Sequence, residues 1–100
     1  MRMTQAALDV LEERKRQQNT KGWTPEHDDE HDMFELSRAG ACFAMTAAGY
    51  QTDNAMIRRL WPFPEDMRPS DHRRRDLVKA AATILADIER LDRAAARRSN

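Results

Sequence analysis

The sequence predicts an all-α fold, a small bundle of three long helices and one short one, and three observations predict it. The 100-residue chain has only 3 Gly and 4 Pro, so it has few places to turn. Its apolar residues, 40% of the total, are mostly Ala, Leu and Met, which lose little on entering a helix, while β-branched residues and aromatics are scarce. Apolar positions recur at three- and four-residue spacing along most of the chain. Residues 1–100 are expected to form a single helical domain, at the lower end of the size range in which a core forms without staples.

The first helix is expected to start with Thr4 as N-cap and to run to about Gln18. Its apolar stripe is Ala7, Leu8, Val10 and Leu11, followed by the charged run Glu12-Glu13-Arg14-Lys15-Arg16-Gln17. Asn19-Thr20-Lys21-Gly22 reads as a turn, with Gly22 free to take a left-handed backbone. Thr24-Pro25 opens a second helix: Thr caps well, and Pro at the first helical position lacks only an N–H that would go unpaired there. This helix is expected to continue to about Ala48 and to stop at Gly49, with Leu36, Ala39, Gly40, Phe43 and Ala47 on one face. Gly40 among alanines allows another helix to approach closely. Thr52 or Asp53 caps a short third helix through about Leu60. Trp61-Pro62-Phe63-Pro64 cannot be helical, because alternating prolines remove donors and push their neighbours into extended geometry, and the loop lasts to Pro69.

Ser70 or Asp71 starts the last helix, on which Leu77, Ala81, Ile84, Ile88, Leu91 and Ala95 form a heptad-like seam reinforced by Val78 and Leu85. At 1.5 Å per residue its roughly 26 residues span about 40 Å, more than the first helix can cover. Two expectations follow for the surplus: a second copy packs on it, making a homodimer, or residues 93–100 fray as a tail.

The single cysteine, Cys42, permits no intramolecular disulfide. Without an apolar leader at the N-terminus or a run of ~18 apolar residues, the chain is expected to be cytoplasmic and not membrane-bound. A net charge of zero lacks the basic footprint of a general nucleic-acid binder. The charge is unevenly spread: residues 1–50 hold 6 Lys/Arg against 9 Asp/Glu, residues 51–100 hold 11 against 8, so the halves attract each other.

Chemistry concentrates in Glu26-His27-Asp28-Asp29-Glu30-His31-Asp32, with Glu35 one turn on. Carboxylates are favourable in the first turn of a helix, where N–H groups are unpaired. That explains some of these six acids but not all, because like charges one turn apart repel. Projected at 100° per residue, Asp29 and Asp32 extend the face of Leu36, Gly40 and Phe43. Inward carboxylates need a cation, either Arg, Lys or a metal. Asp28, Asp29, Asp32 and Glu35 suit a hard, oxygen-liganded ion such as Mg²⁺ held together with substrate phosphates. His27 and His31, at i and i+4, have the spacing of transition-metal ligands; capping and solvated surface are the plain alternative for the whole cluster.

Arg73-Arg74-Arg75 open the last helix against its dipole, so a phosphate or an acidic partner belongs nearby. In an up-and-down bundle the second and fourth helices run parallel, which would bring these arginines to the acids. The two clusters would then meet as direct ion pairs or as a shared phosphate and metal pocket, with the polar stripe Asp76, Thr83 and Asp87 beside them. Trp23, Trp61 and Phe63 sit at loop boundaries, where they cap the core or anchor a partner protein. The sequence has no Gly-rich phosphate loop, nucleophile elbow or CxxC pair, and Cys42 reads as core, so no catalytic set is assigned.

Glu13-Arg14-Lys15-Arg16-Gln17, Gly22-Trp23-Thr24-Pro25-Glu26-His27-Asp28-Asp29, Arg74-Arg75-Asp76-Leu77-Val78-Lys79-Ala80 and Ile88-Glu89-Arg90-Leu91-Asp92-Arg93 together resemble a family of small uncharacterised proteins encoded by phages, prophages and their proteobacterial hosts. The resemblance covers most of the chain and implies a setting, an accessory gene of a phage or mobile element. In a second respect, Asp28-Asp29-x-x-Asp32 and Glu89-x-x-Asp92 are similar in kind to the acidic clusters of all-α nucleotide pyrophosphohydrolases of the MazG type. That resemblance implies Mg²⁺ and a nucleoside triphosphate, although this chain uses Asp in the first cluster and separates the two more widely.

Two functional readings are carried forward. In the first the chain is a non-enzymatic accessory protein that docks on a host or phage protein, inhibition of a host defence system being one such role. In the second it is a Mg²⁺-dependent nucleotide hydrolase or nucleotide binder, with Asp28, Asp29, Asp32 and Glu35 on the ion and Arg73 and Arg75 on the phosphates.

Overall fold

The computed structural model describes residues 2–19, 22, 24–30, 34–70 and 72–99, with Asp66 described by its backbone alone. Regular structure among these residues is all helical: α1 (Gln5–Asn19), α2 (Pro25–Asp29), α3 (Glu35–Ala47), α4 (Ala55–Leu60) and α5 (Arg73–Ser99), with one 3-10 turn at Glu65–Met67. No helix among them is long and apolar enough to cross a membrane.

Capping chemistry sets most of the boundaries. Thr4 accepts a hydrogen bond from the Ala7 N–H at 3.1 Å, and Thr24 accepts one from the His27 N–H at 3.2 Å with Pro25 behind it. The end of α3 is a Schellman motif: Gly49 takes φ 102°, its N–H bonds to the Thr46 carbonyl and the Tyr50 N–H to that of Met45; the positive φ is why a glycine stands there. The cap of α4 is Asn54, which accepts from the Met56 N–H at 2.9 Å, rather than Thr52 or Asp53.

The expected second helix is two helices. α2 stops after Asp29, where the Glu30 N–H turns back to the carbonyls of Asp28 and His27, and α3 restarts after Phe34, which is 70% exposed and has φ 68°. The mutual repulsion of crowded acids and the low helix propensity of Asp disfavour one continuous helix here. A single 100° projection from residue 29 to residue 43 therefore does not hold. The aspartate that turns inward is Asp28, fully buried, whereas Asp29 is half-buried. Asp32 and His31 lie outside the described residues, as do Trp23 and Asp71.

α5 is the hub, and α1, α2 and α3 each lean on it. α3 runs antiparallel to it: Ser37 near the start of α3 donates to Asp87, while at its other end Thr46 donates to Asp76 and the Ala47 carbonyl accepts from Arg73. α1 runs parallel to α5, with Asp9 against Arg74, Glu13 against Arg75 and Gln17 against Thr83. α4 packs on α3, and the Cys42 thiol donates to the Ile57 carbonyl at 3.6 Å. Because the six-residue α4 is only a crossing piece, the chain reverses once between α3 and α5. The parallel pairing expected for those two helices is not formed.

The core is thin: Leu36, Ala39, Cys42, Phe43 and Ala47 of α3, Ile57 of α4, and Val78, Ala80, Ala82 and Ala86 of α5 are its buried apolar residues among those described. Small side chains bring the two helices close. A β-carbon on Gly40 would sit 2.8 Å from Ile84 Cγ1, so the close approach expected of this glycine is real. α1 docks differently from its predicted stripe. Leu8 and Leu11 are exposed, and the buried residues of α1 are Glu13, Arg14 and Gln17. The face of α5 that receives α1 is edged by Arg75 and Glu89, which ion pairs satisfy and leucines would not. The molecule is flat, 44 × 35 × 22 Å.

Candidate functional site

The acids of α2 and the arginines that open α5 lie at opposite ends of α5. Asp29 accepts two bonds from Arg93, at 2.8 and 3.1 Å, with Arg97 at 3.4 Å. Arg93 is some twenty residues, about 30 Å of helix, beyond Arg73. Each cluster has found its counter-charge elsewhere, so the shared pocket expected from parallel helices is not built.

At the α2 end, Arg14 of α1 reaches Asp28 with Nη2–Oδ2 at 2.8 Å, both groups out of contact with water. Arg14 also sends Nε to Glu89 at 3.1 Å, and the His27 ring nitrogen lies 3.4 Å from the second Asp28 oxygen. Burial pushes the Asp28 carboxyl above its ordinary value, against the pull of Arg14 and His27. Asp29, in contrast, is held below its ordinary value by the Arg93 hydrogen bonds. Glu35 occupies the first turn of α3, half-buried. Among the described residues no three His, Cys, Asp or Glu side chains form a metal-sized group.

At the other end, Arg73, Arg74 and Arg75 each fasten a different part of the chain. Arg73 donates to the Ala47 carbonyl at 3.1 Å, a cation closing the C-terminus of α3. Arg74 pairs with Asp9 at 2.8 Å, and Arg75 with the buried Glu13 at 2.7 Å. Burial pushes Glu13 up, but the hydrogen bonds of Arg16 and the charge of Arg75 outweigh it and hold the carboxyl below its ordinary value. Asp9 is lowered by Gln5 and Arg74. Beside these pairs an open cleft of about 590 Å³ is lined by Glu12 and by the paired Asp9, Glu13, Arg16, Arg74 and Arg75.

The stripe Asp76, Thr83 and Asp87 is buried. Asp76 accepts from Thr46 Oγ1 at 2.8 Å and from the backbone and hydroxyl of Ser70, Thr83 accepts from Gln17 at 3.3 Å, and Asp87 accepts from Ser37 and Arg90. These bonds fix the register of α5 against both neighbours. Trp61 and Phe63 are half-buried in an edge-to-face chain with Phe43, with centroids 5.4 and 5.9 Å apart, and the Trp61 indole N–H is spent on the Pro64 carbonyl at 3.0 Å.

What remains open is the third side of α5. α1 and α3 take two faces, and the heptad-like seam lies along the third, with Ile84 turned partly onto Gly40 of α3. Leu77 is 46% exposed, Ile84 43%, Ile88 50% and Leu91 53%, with Ala81 and Ala95 exposed between them. At its N-terminal end the stripe enters a shallow apolar groove, where Leu77 and Val78 meet Ala6 and Val10 of α1. Residues 93–99 are helical, and Arg93 and Arg97 pair with Asp29. The sequence showed the stripe as a pattern; nothing local said which side of α5 would be covered. No protein-family model matches the chain, and no curated protein or solved structure shows a significant match to it.

Proposed function

We propose that this chain is an accessory interaction protein that acts by docking its α5 stripe onto protein, in the phage or mobile-element setting that the sequence resemblance implies. The observation that supports this reading is the apolar stripe Leu77–Ala81–Ile84–Ile88–Leu91, regular over four turns of α5 with its large side chains 43–53% exposed. Leucines and isoleucines scattered singly on a surface need no explanation, but a contiguous row of them marks a contact site. The polar groups that a nucleotide or metal site would use are already engaged within the fold: Asp28 by Arg14, Asp29 by Arg93, Glu13 by Arg75. Displacing such pairs to seat an ion costs their interaction and leaves arginines uncompensated.

A photo-crosslinking amino acid placed at Ile88 and activated in producing cells tests this. A discrete protein adduct is expected from position 88 and not from Glu12, an exposed polar position of α1. If position 88 yields no more adduct than position 12, the docking reading is wrong.

A further inference from the structure

We infer that the occupant of the α5 stripe is a second copy of this chain, lying antiparallel across a two-fold axis close to Ile84. This rests on the docking reading above and names its partner. The register of the row suits an antiparallel partner. Leu77, Ala81, Ile84, Ile88 and Leu91 step by four, three, four and three residues, so the row reversed on itself about Ile84 sets Leu77 opposite the partner's Leu91 and Ile84 opposite the partner's Ile84. Alternating steps of this kind keep an apolar row facing a second helix, and a two-fold contact needs a patch that complements itself.

The charges beside the row suit the same arrangement. Arg74 and Asp92 are eighteen residues apart, about five full turns, so both stand on the same flank of the row. Both are exposed; Arg74 holds only the surface aspartate Asp9, and Asp92 makes no ion pair among the described residues. A two-fold axis near residues 83 and 84 carries each Arg74 to within about 3 Å, along the helix, of the other chain's Asp92, which gives two pairs on one side of the contact. The parallel alternative fails here. The opposite flank of the row is covered by α3, where Asp87 meets Ser37 and Gly40 lies against one edge of Ile84 and the Ala80 carbonyl. A parallel partner would set the open flank of one helix against the covered flank of the other. The 22 Å thickness of the protomer suits face-to-face pairing, which converts a flat two-layer body into one with a closed centre.

Light scattering on the full chain at tens of micromolar should give twice the 11.6 kDa of one chain. Asp92→Arg should weaken association about ten-fold by setting like charges together, and Arg74→Asp with Asp92→Arg should restore most of it; circular dichroism on each variant confirms that the helices are kept. In a Cys42→Ser background, Leu77→Cys mixed with Leu91→Cys should form a disulfide that neither forms alone. Self-crosslinking of Leu77→Cys, or a dimer indifferent to the charge swap, overturns the antiparallel arrangement. A chain that stays monomeric, while Ile88 crosslinks to some other protein in cells, overturns the second copy and leaves the docking reading standing. A monomer with no adduct removes both.

Discussion

Asp28 is a carboxylate without access to water, and its counter-charge is a single guanidinium contributed by another helix. Such a pair is a poor source of net stability, because desolvating two charges consumes most of what their attraction returns, yet removing one partner is expensive because the other stays behind. The two sides are not equivalent. Among the described residues, Arg14 keeps the Glu89 carboxylate when Asp28 is lost, whereas Asp28 is left with a neighbouring histidine when Arg14 is lost. Arg14→Met is therefore expected to lower unfolding stability by about 3 kcal/mol, and Asp28→Leu by less. The double replacement should lose clearly less than the two singles added together. Urea unfolding of the four proteins checks this, and strict additivity would mean that the two side chains do not act as a pair.

Among the elements, α5 shows both how far the sequence could be read and where reading stopped. Its start region, its length and its apolar row are all visible in the residue pattern, and the face Leu36–Ala39–Phe43–Ala47 of α3 is equally plain. Which side of α5 is covered depends on two other helices, and periodicity reports a face without saying what it faces. The same limit explains α1: Glu13, Arg14 and Gln17 have the composition of a solvated surface, and only Arg75, Asp28 and Thr83, all distant in sequence, make them an interior. The break between α2 and α3 was foreshadowed by the mutual repulsion of the acids, but Thr24-Pro25 and Gly49 are as good a start and stop for one helix as for two. The acidic segment turns out to clamp the end of α5 through Asp29, Arg93 and Arg97. Asp29→Ala should therefore speed amide exchange over residues 93–99 several-fold, because terminal turns open locally at low cost. The global unfolding midpoint should hardly move, since these pairs are partly exposed and each is worth less than about 1 kcal/mol. Unchanged exchange in that segment would show that the clamp does not order the tail.

At the scale of the whole molecule, a distributed set of charge pairs surrounds the thin core, and pH reads that set directly. Asp9, Glu13 and Asp29 are all held below their ordinary values by hydrogen-bonded and ionic partners. Between its folded and unfolded values each of them binds fewer protons folded than unfolded, so each adds stability that is present above the ordinary carboxylate range, about pH 4, and is lost as pH falls through its folded value. Asp28 works in the opposite sense. Its folded value is raised by burial, so its contribution is present in full below the ordinary range and is lost as pH rises through the folded value. Three groups against one predict net loss of stability on acidification below about pH 4, with Asp28 softening the slope. Asp28→Asn removes the opposing group. The variant is expected to be less stable at neutral pH, because Arg14 loses its charged partner, and to show a steeper dependence of unfolding free energy on pH between about 3 and 5. Chemical denaturation at a series of pH values measures both effects. A shallower slope in the variant would mean that Asp28 is ionised in the folded state down through the ordinary range, and that Arg14 outweighs burial at the centre of the polar interface.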